Sequence, residues 1–149
     1  MDTLDKSIIK YLQDDGRVSL RELGRRLKVP HTTIFTRVNK LVDKGVIRGF
    51  SAILHPHDLG FKLNIVMVDV PQSESKAVAS AIAECEEVLK VFTTVDGKII
   101  VKAVAQDDDP SCLNNFLSKL DKYNPVVYPV ESVVKYDHKL HHGFIDQLE

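Results

Sequence analysis

Short hydroxyl and cationic side chains cluster between residues 31 and 40, where the apolar residues recur at helical spacing. Ile34, Val38 and Leu41 would share the buried side of a helix running from Pro30 to about Lys44. The outward positions of that helix are polar: His31, Thr32, Thr33, Thr36, Arg37 and Lys40. Because hydroxyl and cationic groups hydrogen-bond to base edges and phosphate oxygens, we expect this helix to contact nucleic acid.

Formal charge is distributed unevenly along the chain. Residues 1–49 hold eleven Lys or Arg against six acidic residues, a formal charge of +5, whereas residues 50–149 carry −6. This asymmetry predicts that the first third of the chain meets a polyanion, for which nucleic acid is the obvious candidate. Five basic residues would form the phosphate-binding field around the helix: Arg17, Arg25, Arg26, Lys28 and Lys44.

Two shorter helices are predicted before this one. Residues near 3–14 have the apolar spacing of an amphipathic helix. Ser19 stands three residues before Glu22, the spacing at which each side chain caps an unpaired amide at the start of a helix. This second helix should stop near Lys28, because Pro30 disfavours helical geometry at Val29. The pattern predicts a helix-turn-helix whose third helix enters the major groove of double-stranded DNA.

The rest of the chain predicts an α+β fold. Residues 46–54 favour a strand, and residues 55–60 form a turn-rich connection. Four strands and two helices follow: strands at 63–70, 88–95, 99–105 and 126–136, a helix at 74–85, and a helix carrying Leu113, Phe116, Leu117 and Leu120. The order β-α-β-β-α-β is the ferredoxin-like pattern, an antiparallel sheet with both helices on one face. Because the other face would be apolar and uncovered, we expect at least a dimer.

These elements predict the domain organisation. Residues 1–50 are the DNA-binding domain, 51–61 a linker strand and turn, 62–137 the sheet domain, and 138–149 a tail or short terminal helix. Within the sheet domain, Asp96-Gly97 separates two β-rich runs. That dipeptide predicts a hairpin with a type I′ turn, which needs positive φ at both central residues.

Composition and motifs argue against several other classes. No apolar stretch has the length that a bilayer requires, and the N-terminus lacks the features of a secretion signal, which predicts a cytoplasmic protein without a membrane partner. Cys85 and Cys112 are then expected to be free thiols. His55-x-His57 lacks a third ligand of convincing spacing, and no nucleophile, phosphate-loop or dinucleotide motif is present. The sequence therefore predicts no catalytic residue, no metal and no cofactor.

Several of these segments together resemble the Lrp/AsnC regulators, also called feast/famine regulatory proteins. The resemblance covers nearly the whole chain and is carried by Asp5, Arg17-Val18-Ser19, Glu22-Leu23, residues 34–41, residues 45–50 and Asp58-Leu59-Gly60. It implies a winged helix-turn-helix joined by the Phe50 strand to a ferredoxin-like βαββαβ domain of the RAM or ACT-like type. It further implies a homodimer, often assembled into an octamer, that binds a two-fold-related DNA site. In many members an amino-acid effector binds between the sheet domains.

The chain departs from the family pattern at three places. Lys28 stands at a turn position often held by Gly, and Pro30 replaces the usual Ser cap of the third helix, leaving Thr32 or Thr33 to cap it. The effector loop of the family, Gly-x-aromatic-Asp, corresponds to four residues here: Val95, Asp96, Gly97 and Lys98. Because lysine replaces an acid that would suit an ammonium group, the resemblance implies an altered effector preference or no effector.

An enzyme is the main alternative. Sirohaem decarboxylases resemble the same family in fold and use histidine and arginine side chains around a tetrapyrrole. The histidines that could serve such a role are His55, His57, His138, His141 and His142. They lie in a predicted turn and a predicted tail, where exposed structural histidines are the commoner explanation. A stand-alone interaction module would leave the basic first third unexplained.

Overall fold

The computed structural model describes residues 1–106, 108–109, 111–135 and 138–149. They form two compact units, one built from residues 1–53 and the described residues of 135–149, the other from residues 54–134. The helices and strands follow in the order α1 (Thr3–Asp14), α2 (Leu20–Leu27), α3 (His31–Asp43), β1 (Phe61–Asp69), α4 (Gln72–Ala83), β2 (Val88–Thr93), β3 (Lys98–Gln106), α5 (Ser111–Ser118), β4 (Val126–Pro129) and α6 (His142–Asp146). The predicted α+β fold is confirmed. None of the described helices has both the length and the apolar character needed to cross a bilayer.

Each of the first three helices contributes one fully buried aliphatic side chain to the core of the first unit. These are Ile8 of α1, Leu23 of α2 and Ile34 of α3, all with no exposed surface. Val38 and Leu41 extend the buried stripe of α3 along the same side. The apolar spacing of the third helix therefore predicted its buried side correctly.

The turn between α2 and α3 brings the chain back against Gly24. Lys28 adopts the left-handed conformation, with φ 56° and ψ 41°, and the Val29 N–H donates to the Gly24 carbonyl at 2.9 Å. A Cβ at residue 24 would lie 2.7 Å from the Val29 oxygen and 3.3 Å from the His31 Cα. Only glycine fits such an approach, while the strain at the non-glycine Lys28 amounts to roughly 1–2 kcal/mol.

The last residues of the chain dock on α1 within the first unit. Ile145 of α6 is 1% exposed, and Asp146 pairs with Lys10. Lys6 Nζ donates to the Asp146 carbonyl at 3.0 Å, and the Leu140 N–H donates to Gln13 Oε1 at 2.8 Å. The segment expected to be a tail or a short helix thus contains a helix that is attached to α1.

The second unit is a four-stranded antiparallel sheet in the order β2-β3-β1-β4. Both helices of the β-α-β-β-α-β order cover one face, where Val66 of β1 and Val101 of β3 contact Ile82 of α4 and Phe116 of α5 in one buried cluster. This arrangement agrees with the predicted ferredoxin-like pattern.

Two strand predictions are wrong. Residues 46–54 form no strand within the described chain, although their composition is suitable. A strand needs a hydrogen-bonded neighbour, and in the described chain this segment has none, so that Phe50 and Ile53 remain exposed. The last strand ends at Pro129 rather than at residue 136, which lies outside the described residues together with the predicted domain boundary at 137. Pro129 pairs with Asn64, close to the start of β1 at Phe61. A much longer β4 would therefore have no β1 residues left to pair with.

The β2–β3 hairpin is present, but its turn is not type I′. Gly97 has φ 88°, whereas Asp96 is not in the positive region. The Gly97 N–H donates to the Thr94 carbonyl at 3.2 Å, and the Thr94 N–H donates to the Lys98 carbonyl at 2.8 Å. The loop therefore contains three residues and needs a left-handed conformation only at its glycine.

We predict that Gly24→Ala lowers the free energy of unfolding by about 1–3 kcal/mol, because the added methyl group would overlap backbone atoms that cannot move independently. Gly16→Ala is the matched control, since its Cβ would meet its nearest atom, the Leu12 oxygen, at an ordinary 3.7 Å. Urea denaturation followed by circular dichroism measures both variants. Equal midpoints for the two would show that the approach at Gly24 is not a constraint.

Candidate nucleic-acid interface

The side of α3 opposite its buried stripe is polar and exposed. Thr32, Thr36 and Asn39 lie one helical turn apart along its centre, and we call these three residues the outer face of α3. Among the other residues predicted to contact DNA, His31 and Lys40 are exposed beside this face. Thr33 and Arg37 are half-buried and lie closer to the core. The predicted residues of α3 therefore share one helix, but Thr33 and Arg37 do not lie on its fully exposed side.

Asn39 was missed by the sequence analysis, which selected hydroxyl and cationic side chains. Thr32, Thr36 and Asn39 stand at positions i, i+4 and i+7, and this helical spacing would have identified Asn39. An exposed asparagine on such a helix matters because its amide both donates and accepts hydrogen bonds. Phe35, on the flank of this face, is 54% exposed.

The start of α3 is not capped by a side chain. Pro30 occupies the cap position, and the Thr33 N–H and Ile34 N–H donate to its carbonyl at 3.0 and 3.2 Å. The expectation that Thr32 or Thr33 supplies a cap is wrong, because no side chain of the described residues bonds to the first-turn amides. The positive end of the helix dipole is therefore open to an anion from outside.

Arg37 connects α3 to the beginning of α1. Its Nη1 donates to the Asp2 carboxylate and, at 3.2 Å, to Asp5 Oδ1. The pKa of Asp2 is lowered, first by the N–H of Asp5 and then by the hydrogen bond from Arg37. In this structure the guanidinium of Arg37 is thus occupied by two carboxylates of the same unit.

Two of the predicted phosphate-binding residues are paired with Glu22. Arg25 Nη2 and Arg26 Nε lie 2.8 and 2.7 Å from its carboxylate oxygens, which lowers the pKa of Glu22 to about 2. The Glu22 N–H donates to Ser19 Oγ at 3.1 Å, as predicted. The reciprocal bond from the Glu22 side chain is not formed, because its carboxylate makes stronger, charge-assisted bonds to the two arginines.

Three other predicted cations are differently placed. The side chains of Arg17, Lys28 and Lys40 are exposed and make no ion pair with any residue that the structure describes. Their charge is therefore uncompensated at short range, and it lies in the unit with the positive formal charge. These side chains are suited to phosphate oxygens.

The predicted effector residues form the tip of the β2–β3 hairpin. Val95 is fully exposed, and the Asp96 carboxylate accepts a hydrogen bond from the Thr94 hydroxyl, which lowers its pKa. Lys98 begins β3 opposite Asp69. Gly97 borders an open groove of about 580 Å³ between α4 and β2, whose polar lining includes Ser75, Lys76 and Thr93.

The histidines of the enzyme alternative are divided between the two units. His55 Nδ1 lies 3.3 Å from Asp58, and His142 Nε2 lies 3.4 Å from Asp14 in the other unit. Within the described part of the chain, no group of three His, Cys, Asp or Glu side chains could hold a metal ion.

Comparisons with known proteins agree with this geometry. Residues 1–48 match the model of a winged helix-turn-helix DNA-binding domain. The HTH-type transcriptional regulator FL11 of Pyrococcus horikoshii is 39% identical over 119 residues, which span 78% of each chain. This chain is therefore a DNA-binding transcriptional regulator.

Solved structures show the same fold over nearly the whole chain. The crystal structure of PH0061 has a TM-score of 0.82 and 29% identity, covering 92% of this chain and 97% of that one. The transcriptional regulator NMB0573 of Neisseria meningitidis, solved as a complex with L-Met, has a TM-score of 0.77 and 20% identity, covering 97% and 99%. E. coli AsnC has a TM-score of 0.71 and 19% identity, covering 95% and 98%. The chain belongs to the Lrp/AsnC family of transcriptional regulators.

Proposed function

We propose that this regulator reads its DNA site with the outer face of α3 placed in the major groove. The observation that carries the proposal is the line of exposed hydroxyl and amide groups on a helix whose other side is locked into the core. An α-helix fits the major groove, and the base edges there present distinct donor and acceptor patterns. His31 and Thr33 lie at the start of the same helix and extend the contact surface.

Phosphate contacts surround this face in the proposed complex. Arg17, Lys28 and Lys40 supply charge directly, because they have no ion-pair partner among the described residues. Arg25 and Arg26 would exchange Glu22 for phosphate oxygens, which costs little because exposed ion pairs contribute little to stability. Arg37 supports the interface by holding α1 against α3.

We also propose that the protein is a dimer formed through the open face of the sheet. An apolar row crosses this face from Phe92 to Ile100, Met67 and Val126, each opposite the next in the strand register. Phe92 and Val126 are about half exposed, at 52% and 49%. A second copy of the same face would cover the row symmetrically, and the family resemblance adds the expectation that dimers assemble into octamers.

The hairpin tip and its groove form the proposed effector site. The groove is large enough for an amino acid, Gly97 of the tip borders it, and Lys76 and Ser75 of α4 supply an ammonium and a hydroxyl group to its lining. The L-Met complex of NMB0573 shows that a protein of this fold binds an amino acid. Calorimetric titration with each amino acid tests the proposal: saturable heat that Lys76→Ala abolishes supports it, and no heat from any amino acid contradicts it.

We predict that Lys40→Ala weakens binding to duplex DNA and reduces the slope of log K against log salt by about one unit, because one phosphate contact is lost. Fluorescence anisotropy over a series of salt concentrations measures the slope. Lys119→Ala removes the same charge from the second unit and should leave the slope unchanged. Identical slopes for Lys40→Ala and the wild type would contradict the phosphate contact.

We predict that Phe92→Asp converts the protein to a monomer, because it places a charge in the apolar row, at its most exposed aromatic side chain. Light scattering at micromolar concentration should give at least a dimer mass for the wild type. Val134→Asp is the control, since Val134 is 97% exposed and lies outside the strands. A monomeric wild type would exclude the dimer, and a dimeric Phe92→Asp would exclude this face as its interface.

A further inference from the structure

Asn39 is the last residue of the outer face of α3. It lies one turn beyond Thr36 and two turns beyond Thr32, and its side chain is exposed. Its amide makes no hydrogen bond with any side chain or backbone group of the described residues. Both the carbonyl oxygen and the NH₂ group are therefore available to a ligand that lies against this face.

The side-chain amide of asparagine matches adenine. In the major groove, adenine presents an acceptor at N7 beside a donor at N6, so one amide can make two hydrogen bonds to it. Guanine presents two adjacent acceptors, which would leave the carbonyl oxygen of Asn39 opposite another acceptor. Recognition of guanine usually requires Arg or Lys, and the arginine of α3, Arg37, is bound to Asp2 and Asp5.

Thr36 strengthens this preference. Its hydroxyl donates to the Thr32 carbonyl at 3.0 Å, so its proton is already used within the helix. Towards the groove, Thr36 then offers lone pairs and a methyl group, which suit the N6 donor of adenine, the N4 donor of cytosine or the methyl group of thymine. None of these contacts favours guanine.

We infer that Asn39 makes a bidentate hydrogen bond to an adenine in each half-site and thereby determines the base at that position. The inference rests on the proposed placement of α3 in the major groove. It assigns a base-selecting role to one residue, whereas Lys40, the next residue along the helix, contacts phosphate and carries no sequence preference.

The test begins with selection of bound sequences from random duplex DNA by the full-length wild-type protein. Dissociation constants are then measured for the selected duplex and for duplexes in which each A·T pair is replaced in turn by G·C. We expect the wild type to discriminate by about tenfold or more at the position facing Asn39, and Asn39→Ala to reduce this to within about threefold at that position alone. Lys40→Ala should weaken all duplexes alike and keep the discrimination.

A second measurement changes one atom of the DNA base. Replacing the selected adenine by 7-deazaadenine removes only the N7 acceptor, so the wild type should lose affinity and Asn39→Ala should be insensitive. The inference is overturned if Asn39→Ala keeps the wild-type discrimination at every position, or if it weakens all duplexes equally, as loss of a phosphate contact would. A wild type that selects no sequence would instead refute the placement of α3 itself, and the inference with it.

Discussion

The close approach of the chain to Gly24 is the constraint on which the DNA-binding unit depends. The turn after α2 can be this short only because residue 24 has no side chain where the Val29 oxygen passes. The left-handed Lys28 then directs the chain into α3. With α3 so placed, Ile34 meets Ile8 and Leu23 in the core. The outer face of α3 points outwards as a consequence, because the two sides of a helix cannot be oriented independently.

The basic residues of this unit have two kinds of surroundings. Three arginines are paired with carboxylates of the same unit: Arg25 and Arg26 with Glu22, and Arg37 with Asp2 and Asp5. The Arg37 pairs join α1 to α3, so they help to position the helix that we propose to read DNA. The cations without an ion pair among the described residues, Lys28 and Lys40 included, are the ones that we propose to contact phosphate. A positive formal charge alone therefore does not identify the residues that contact DNA.

The sequence predicted those features that depend on local spacing. The three helices, the buried stripe of α3 and the β-α-β-β-α-β order all follow from apolar periodicity and turn residues. Features set by distant partners were not accessible in this way. Residues 46–54 have the composition of a strand but no neighbour to pair with in the described chain. The pairing of Arg37 with Asp2 joins residues far apart in sequence. Asn39 is a different case, because its helical spacing from Thr32 and Thr36 is visible in the sequence and only its residue type was not selected.

The central claim is that the outer face of α3 reads base edges. A crystal structure of the full-length protein bound to its selected duplex tests this most directly. We expect Thr32, Thr36 and Asn39 to lie within hydrogen-bonding distance of base edges in the major groove, with Ile34, Val38 and Leu41 still in the core. A complex in which another element occupies the groove, or in which this face meets only phosphates or solvent, would contradict the account.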